Sequence, residues 1–122
     1  MAPVDAVTRL VHLYTGDDGQ THFNDGEVTL DVDEAAHTIS FAESPPGSSL
    51  DWHHAPHHQY VITLSGTLEF ETRLGERCTI APGDVLLAED TTGGGHRWQL
   101  VDDHPWRRVY VTLSVDTEHP AP

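Results

Sequence analysis

Apolar side chains recur at every second position along nearly the whole of this 122-residue chain, in short runs broken by turn residues. That period is the signature of strands with one face buried, and it is incompatible with helices over the same stretches. Thr8-Arg9-Leu10-Val11-His12-Leu13-Tyr14 is one such run, Glu27 to Val32 another and His37 to Ala42 a third. The pattern resumes through Gln59 to Leu64, Thr67 to Thr72, Arg77 to Ile80, Asp84 to Ala88, His96 to Val101 and Arg107 to Val115. Turn signals lie between the early runs: Gly16-Asp17-Asp18-Gly19, Asn24-Asp25-Gly26 and Ser44-Pro45-Pro46-Gly47. The expectation is about nine or ten short strands, with only Asp33-Glu34-Ala35-Ala36 prone to helix and too brief to matter. A chain of this length holds one core, so all of it, residues 1–122, is expected to form a single all-β domain. Its core would run from about residue 8 to 115, with loose ends at 1–6 and 117–122. Many short strands in one small domain favour a sandwich or closed barrel, which hides the sheet edges.

The charge balance narrows the partners. Twenty Asp and Glu face six basic residues, all of them Arg, for a formal net charge of -14. Protonating all ten histidines would still leave the chain negative. Such a surface repels phosphate backbones and anionic lipid, so neither nucleic acid nor membrane is an expected partner. Its ordinary meaning is solubility. The absence of lysine excludes Schiff-base chemistry, which needs a lysine amine. Cys78 is the sole cysteine, so there is no intramolecular disulfide and no thiolate cluster within one chain, and any metal must sit on histidine or oxygen ligands. The opening residues lack the basic and apolar segments of a secretion signal, and no run of about 18 apolar residues occurs. The expected location is cytoplasmic.

Along Gln59 to Leu64 the side chains of Gln59, Val61 and Thr63 share one face and those of Tyr60, Ile62 and Leu64 the other. Both faces are largely apolar. One can line a barrel interior, and the other then needs a cover, which makes a homodimer the expected assembly. Just upstream, Trp52-His53-His54-Ala55-Pro56-His57-His58 holds four histidines within six residues. In extended backbone His53, Ala55, His57 and Gln59 would face one way, His54 and His58 the other, although Pro56 disturbs strict alternation.

Two stretches here resemble the paired motifs of the cupin superfamily. The first cupin motif reads Gly, five residues, His, one, His, three or four, Glu, six, Gly. This chain has Gly47, His53, Ala55, Gln59 and Gly66 at those spacings, with Ala55 in the second His position and Gln59 in the Glu position. The second motif is similar to Thr91-Thr92-Gly93-Gly94-Gly95-His96, which keeps the glycine and the histidine, with Thr91 for Pro and Leu100 for the later Asn. Ala81-Pro82-Gly83-Asp84-Val85 matches the turn and strand that usually precede it. The resemblance covers about Gly47 to Leu100 and implies a small single-domain cupin, a jelly-roll barrel or double-stranded β-helix. It further implies one divalent transition metal ion inside the barrel, on His53 and His96, with Gln59 as a neutral amide ligand. His57 could fill the place left by Ala55. Imidazole ligands suit Fe, Ni, Zn and Cu alike, so the ligand set does not name the metal, and Mn stands among the candidates as well.

Other candidates surround this set. Trp98 shares the face of His96 in a strand and could form a wall of a substrate pocket. Asp51 has the parity of His53 and could contribute to the same pocket or orient the ring. Glu89, beside Asp90 before the glycine-rich turn, is the candidate general acid or base. The glycines at 93 to 95 precede neither a helix nor a lysine, so they form no phosphate loop, and no nucleophile elbow occurs. Two functions stay open. One is a small metal-dependent enzyme that oxygenates, isomerises, dehydrates or cyclises one organic molecule. The other is a non-catalytic barrel that binds a small ligand without metal.

Overall fold

The computed structural model describes residues 7–113, all of whose regular structure is strand. Ten strands run in the order β1 Arg9–Thr15, β2 Thr21–Glu27, β3 Ala36–Ser44, β4 Ser49–His53, β5 Gln59–Ser65, β6 Leu68–Thr72, β7 Arg77–Ile80, β8 Val85–Glu89, β9 His96–Leu100 and β10 Trp106–Leu113. They form a six-stranded sheet, ordered β2-β1-β8-β5-β10-β3, and a four-stranded sheet, ordered β4-β9-β6-β7. Every pairing is antiparallel except β1 with β8, which run parallel from Leu10 opposite Val85 to Tyr14 opposite Glu89. The two sheets face each other as a jelly roll without closing their ladders into one cylinder. Among the described residues no helix is long and apolar enough to cross a membrane.

Alternation decides what lies between the sheets. The larger sheet sends in Val11 and Leu13 from β1, Val61 from β5, and Leu86 and Ala88 from β8; the smaller sheet sends in Leu68 and Phe70 from β6, Ile80 from β7, and Trp98 and Leu100 from β9. Trp106 at the start of β10 is 2 % exposed and donates its indole N–H to Thr63 Oγ1 at 3.1 Å, so a large ring is buried with its one polar atom satisfied. Gln59, Val61 and Thr63 are buried, as strand parity requires, and Tyr60, Ile62 and Leu64 face outward.

Three local expectations need correcting. The second strand is Thr21–Glu27 rather than Glu27 to Val32, and the Asn24-Asp25-Gly26 stretch read as a turn lies inside it. The turn falls earlier, where Gly19 donates its N–H to Gly16 O and Gly16 donates its own to Gln20 O. β2 is an edge strand, where polar residues are tolerated, and its register sets Asp25 beside Arg9, whose Nε and Nη2 each donate to the carboxylate at 2.9 Å. Strand β4 was not anticipated, because Ser49-Leu50-Asp51-Trp52-His53 carries too little alternation to be read as one. Asp33 to Ala35 is irregular, and Ala36 opens β3. The loose ends expected at 1–6 and 117–122, and the end of the run to Val115, lie outside the described residues.

Candidate functional site

Between the two sheets lies a cavity of about 470 Å3. Its lining includes His53, His57, Gln59, His96 and Trp98, which come from β4, the following bend, β5 and β9. Ala55 and Pro56 line it too, whereas His54 and His58 do not, so the odd residues from 53 to 59 all reach the cavity, with Pro56 breaking strict alternation where the chain bends after His53. Trp98, Phe70, Leu86 and Val61 give the cavity apolar walls. This combination of apolar walls with a few convergent polar groups is the usual make-up of a small-molecule site.

The histidine pair is held by two different devices. His53 and His96 sit opposite each other where β4 meets β9, with ring centroids 4.5 Å apart. Their approach depends on Gly95, whose backbone has φ +77 and at which a Cβ would lie 2.4 Å from the His53 carbonyl oxygen. His53 donates its Nδ1 proton to the Asp51 carbonyl at 2.8 Å. A carbonyl only accepts, so the lone pair of this ring is on Nε2. His96 donates Nδ1 to the Asp90 carboxylate at 2.6 Å. Both rings thus keep Nε2 as an acceptor, with the tautomer set by the partner of the other nitrogen. Burial, the largest influence, pushes the His53 imidazole below its ordinary range, and the Asp51 carbonyl acts in the opposite sense.

Asp90 is the residue that sequence reasoning passed over in favour of its neighbour. It is fully buried, accepts from Thr21 Oγ1 at 2.9 Å as well as from His96, and holds one further oxygen, Oδ1, with no hydrogen-bond partner. Alternation along β8 could have found it, since Leu86 and Ala88 point inward and position 90 continues that face. Glu89, the candidate acid or base, faces the other way. Its carboxylate accepts hydrogen bonds from His12 Nε2 at 2.7 Å and from His58 Nδ1 at 3.1 Å, and it does not line the cavity.

Asp51 is likewise displaced. The β4 and β9 register shifts between Leu50 and His53, and this bulge breaks the alternation that would have put Asp51 and His53 on one face. The Asp51 side chain borders a separate depression on the outward face of the smaller sheet, and only its carbonyl reaches His53. That outer depression is walled by Glu69, Glu71, Arg77 and Arg97, whose charges pair with one another.

The donor set for a metal ion can be stated from these contacts. Among the described residues no three His, Cys, Asp or Glu side chains are grouped to hold one. An ion in the cavity would rest on Nε2 of His53, Nε2 of His96 and the amide oxygen of Gln59, which is buried beside the cavity and makes no hydrogen bond to a described residue. Two imidazoles of fixed tautomer and a free amide oxygen fit an imidazole-binding transition metal with open coordination positions, held weakly because no ligand is anionic. His57 lines the cavity from an exposed position.

Comparison with known proteins bears on the fold. A DUF861 family protein of Thermotoga maritima superposes with a TM-score of 0.51 at 24 % identity, covering 61 % of this chain and 77 % of that one. A cupin domain of Bordetella pertussis gives 0.51 at 20 % identity, over 70 % of this chain and 90 % of the other. A cupin 2 conserved barrel domain protein of Salinispora arenicola gives 0.53 at 20 % identity, over 75 % and 80 %. No family model matches the sequence, and no curated protein matches it. At these identities the likeness is one of fold.

Proposed function

We propose that this chain, which has the cupin fold, takes up one small organic molecule between its sheets and acts on it through His53 and His96, with a divalent transition metal ion as the cofactor. The observation that carries this reading is the shared tautomer of the two rings: each gives its Nδ1 proton to a protein oxygen and turns an acceptor Nε2 to its surroundings. Histidines that bind metals are oriented in this way by a carbonyl or carboxylate on the far nitrogen. Gln59 would be the third ligand, and His57 is near enough to the same cavity to serve as a fourth. A bound ion would supply Lewis acidity or oxygen activation. The residues themselves do the rest: Asp90 fixes the His96 ring, Trp98 and Phe70 exclude water from one side, and Gln59 offers a neutral amide to the ligand.

A second reading has its own support. Ala55 stands where a further imidazole would complete the ligand set, and a metal-free barrel would use the same two Nε2 atoms to accept hydrogen bonds straight from a bound molecule. The two readings part in one experiment. Untagged protein, stripped with chelator and titrated with zinc, nickel, manganese and iron(II), is expected to take up one equivalent of at least one ion, with His96→Ala abolishing uptake and His58→Ala leaving it intact. Uptake below a tenth of an equivalent for every ion would leave only the metal-free barrel.

The assembly proposed is a homodimer through the outward face of the six-stranded sheet. Ile39 and Phe41 are 64 % and 73 % exposed there, and Val111 and Val109 pair with them across the ladder. Val109 and Val111 in turn oppose Ile62 and Tyr60, which makes the apolar band three strands wide. A band of that extent is larger than scattered surface residues account for.

A further inference from the structure

We infer that the molecule bound in the cavity is a small organic anion, a single carboxylate on a compact apolar body, and that Arg108 is the residue that selects it. This rests on the cavity being a small-molecule site and adds the chemical class of its occupant.

The lining shows a sharp departure from the rest of the chain. Twenty Asp and Glu are present in the sequence, yet among the described residues that line the cavity there is none. The one Lys or Arg side chain in that lining is Arg108, from β10. A cationic ligand would meet a like charge there and no carboxylate to balance it. A neutral ligand would leave the guanidinium uncompensated beside indole and phenol rings, at a desolvation cost that an anion offsets.

The environment of Arg108 presents the charge instead of neutralising it. Its guanidinium lies 3.9 Å above the centre of the Trp106 ring and 5.5 Å from that of Tyr110. Nε donates to Tyr110 Oη at 3.0 Å, and Nη1 donates to Ser44 Oγ at 2.9 Å and to the Trp106 carbonyl at 3.0 Å. All three acceptors are neutral. Both hydrogens of Nη2 remain, with no bond to a described residue. Arg9, Arg77, Arg97 and Arg107, by contrast, each face a carboxylate within 3.5 Å. Stacking on an aromatic face and three fixed hydrogen bonds hold the remaining edge of the fork in one orientation, which is the condition for selecting an oxyanion.

The neighbours complete the description of the ligand. Ser40 opposes Tyr110 in the β3 and β10 ladder and Thr38 opposes Thr112, so four hydroxyl groups belong to the same wall as Arg108. Thr38 and Thr112 bond to each other and Tyr110 Oη accepts from Arg108, which leaves the hydroxyl hydrogens of Ser40 and Tyr110 to donate to a carboxylate beside the guanidinium. Trp98, Trp106, Phe70 and Val61 supply the apolar surroundings for the body. One guanidinium matches one negative charge, which favours a monocarboxylate over a phosphate ester.

The test uses matched pairs of acid and primary amide on one skeleton, namely benzoate and benzamide, 3-phenylpropionate and 3-phenylpropanamide, hexanoate and hexanamide. Binding to the full chain at pH 7 is followed by saturation-transfer NMR and by the fluorescence of Trp98 and Trp106. The expected result is that acids bind at least about tenfold tighter than their amides, the gain of one charge-assisted hydrogen bond. Arg108→Gln should remove that preference while leaving amide binding unchanged, Arg108→Lys should keep part of it, and Arg107→Gln should keep all of it. If Arg108→Gln does not fold, the wild-type preference and Arg108→Lys decide. Amides binding as tightly as acids would overturn the anion assignment and leave the cavity a small-molecule site, and a preference that survives Arg108→Gln would overturn the role of Arg108. A preference lost in His96→Ala but kept in Arg108→Gln would move the anion to the histidine pair and overturn the role of Arg108. If no member of any pair binds, the small-molecule reading falls, and this inference with it.

Discussion

His96 donates a hydrogen bond from Nδ1 to Asp90 across 2.6 Å with both side chains buried, and the far oxygen of that carboxylate has no partner among the described residues. A carboxyl group taken out of water depends on its hydrogen bonds, here those from His96 and Thr21. Asp90→Ala should therefore lower stability by about 1–3 kcal/mol, because it strands both donors. Denaturant unfolding measures this, and a loss below about 0.5 kcal/mol would show that the pair is not holding the ring. Glu89→Ala, on the other side of β8, should leave the His96 tautomer unchanged in long-range 1H–15N NMR spectra.

The two kinds of histidine in this chain should titrate on opposite sides of the ordinary value. Burial lowers His53, whereas the Asp18 hydrogen bond to His22 raises that half-buried ring, with Glu76 acting in the same sense. A histidine with a lowered folded pKa binds fewer protons folded than unfolded, so its contribution to stability is whole above the unfolded value of about 6.5 and is lost as pH falls through the folded one. His22 has the reverse sign and loses its contribution as pH rises through its raised value. NMR titration should place His53 below His22. Ligand or metal binding through Nε2 of His53 should weaken as pH falls through its lowered folded value, and the reverse trend would contradict the assignment of that atom as the acceptor.

Gly95 offers a test of what brings the two rings together. Alanine there would put a methyl group 2.4 Å from the His53 carbonyl oxygen on a backbone at φ +77. The left-handed backbone alone costs about 1–2 kcal/mol, and the clash adds to it. Gly95→Ala is expected to destabilise the protein by about 2 kcal/mol or more and to abolish the spectroscopic contact between His53 and His96. Gly47→Ala also has a positive φ but nothing within 4 Å of the added atom, so it should be stable enough to compare and should keep the pair intact.

Gln59→Glu tests the ligand set directly. A carboxylate at the buried end of β5 would give an ion an anionic ligand, and zinc affinity should rise by at least about tenfold, or ~1.4 kcal/mol. The same change should destabilise the metal-free protein, because the new charge is buried. Calorimetric titration of both variants measures the first effect and thermal unfolding the second. Unchanged zinc affinity would mean that the side chain of residue 59 does not reach the ion.

The apolar band on the larger sheet predicts assembly. Light scattering at micromolar concentration should give about twice 13.5 kDa, and Phe41→Glu should return the mass to that of one chain. A monomeric wild type would leave Ile39 and Phe41 without the cover proposed for them.

Much of this architecture was legible from alternation, and the exceptions have physical causes. The inward parity of Gln59, Val61 and Thr63 followed from the period of a strand, and the spacing from Gly47 to Gly66 pointed to residues that do line one cavity. Asp51 was misjudged because a bulge in β4 resets parity, and a bulge depends on how two strands pair, which a single run of five residues does not reveal. Glu89 and Asp90 are adjacent acids at a strand end, and choosing between them required knowing that β8 keeps its alternation into residue 90. Arg108 was passed over because an arginine in a strand ordinarily faces water, yet it shares the parity of Trp106, Tyr110 and Thr112, and that unbroken alternation along β10 carries it over Trp106 into the cavity.

The order of strands in the larger sheet has a consequence for the chain as it leaves the ribosome. Strand β3 has a single neighbour, β10, and β1 reaches the rest of its sheet only through β8. A nascent chain that has produced the first seventy residues or so therefore exposes β3 with no partner and the bare edges of β5; β8 covers one of those edges, and β3 waits for β10. Such long-range pairing makes folding slow, and unpaired strand edges invite association with other chains in the interval. For this small barrel vectorial synthesis completes only hairpins such as β1 with β2, and a polysome crowded with unfinished copies is where it is most exposed to misassembly.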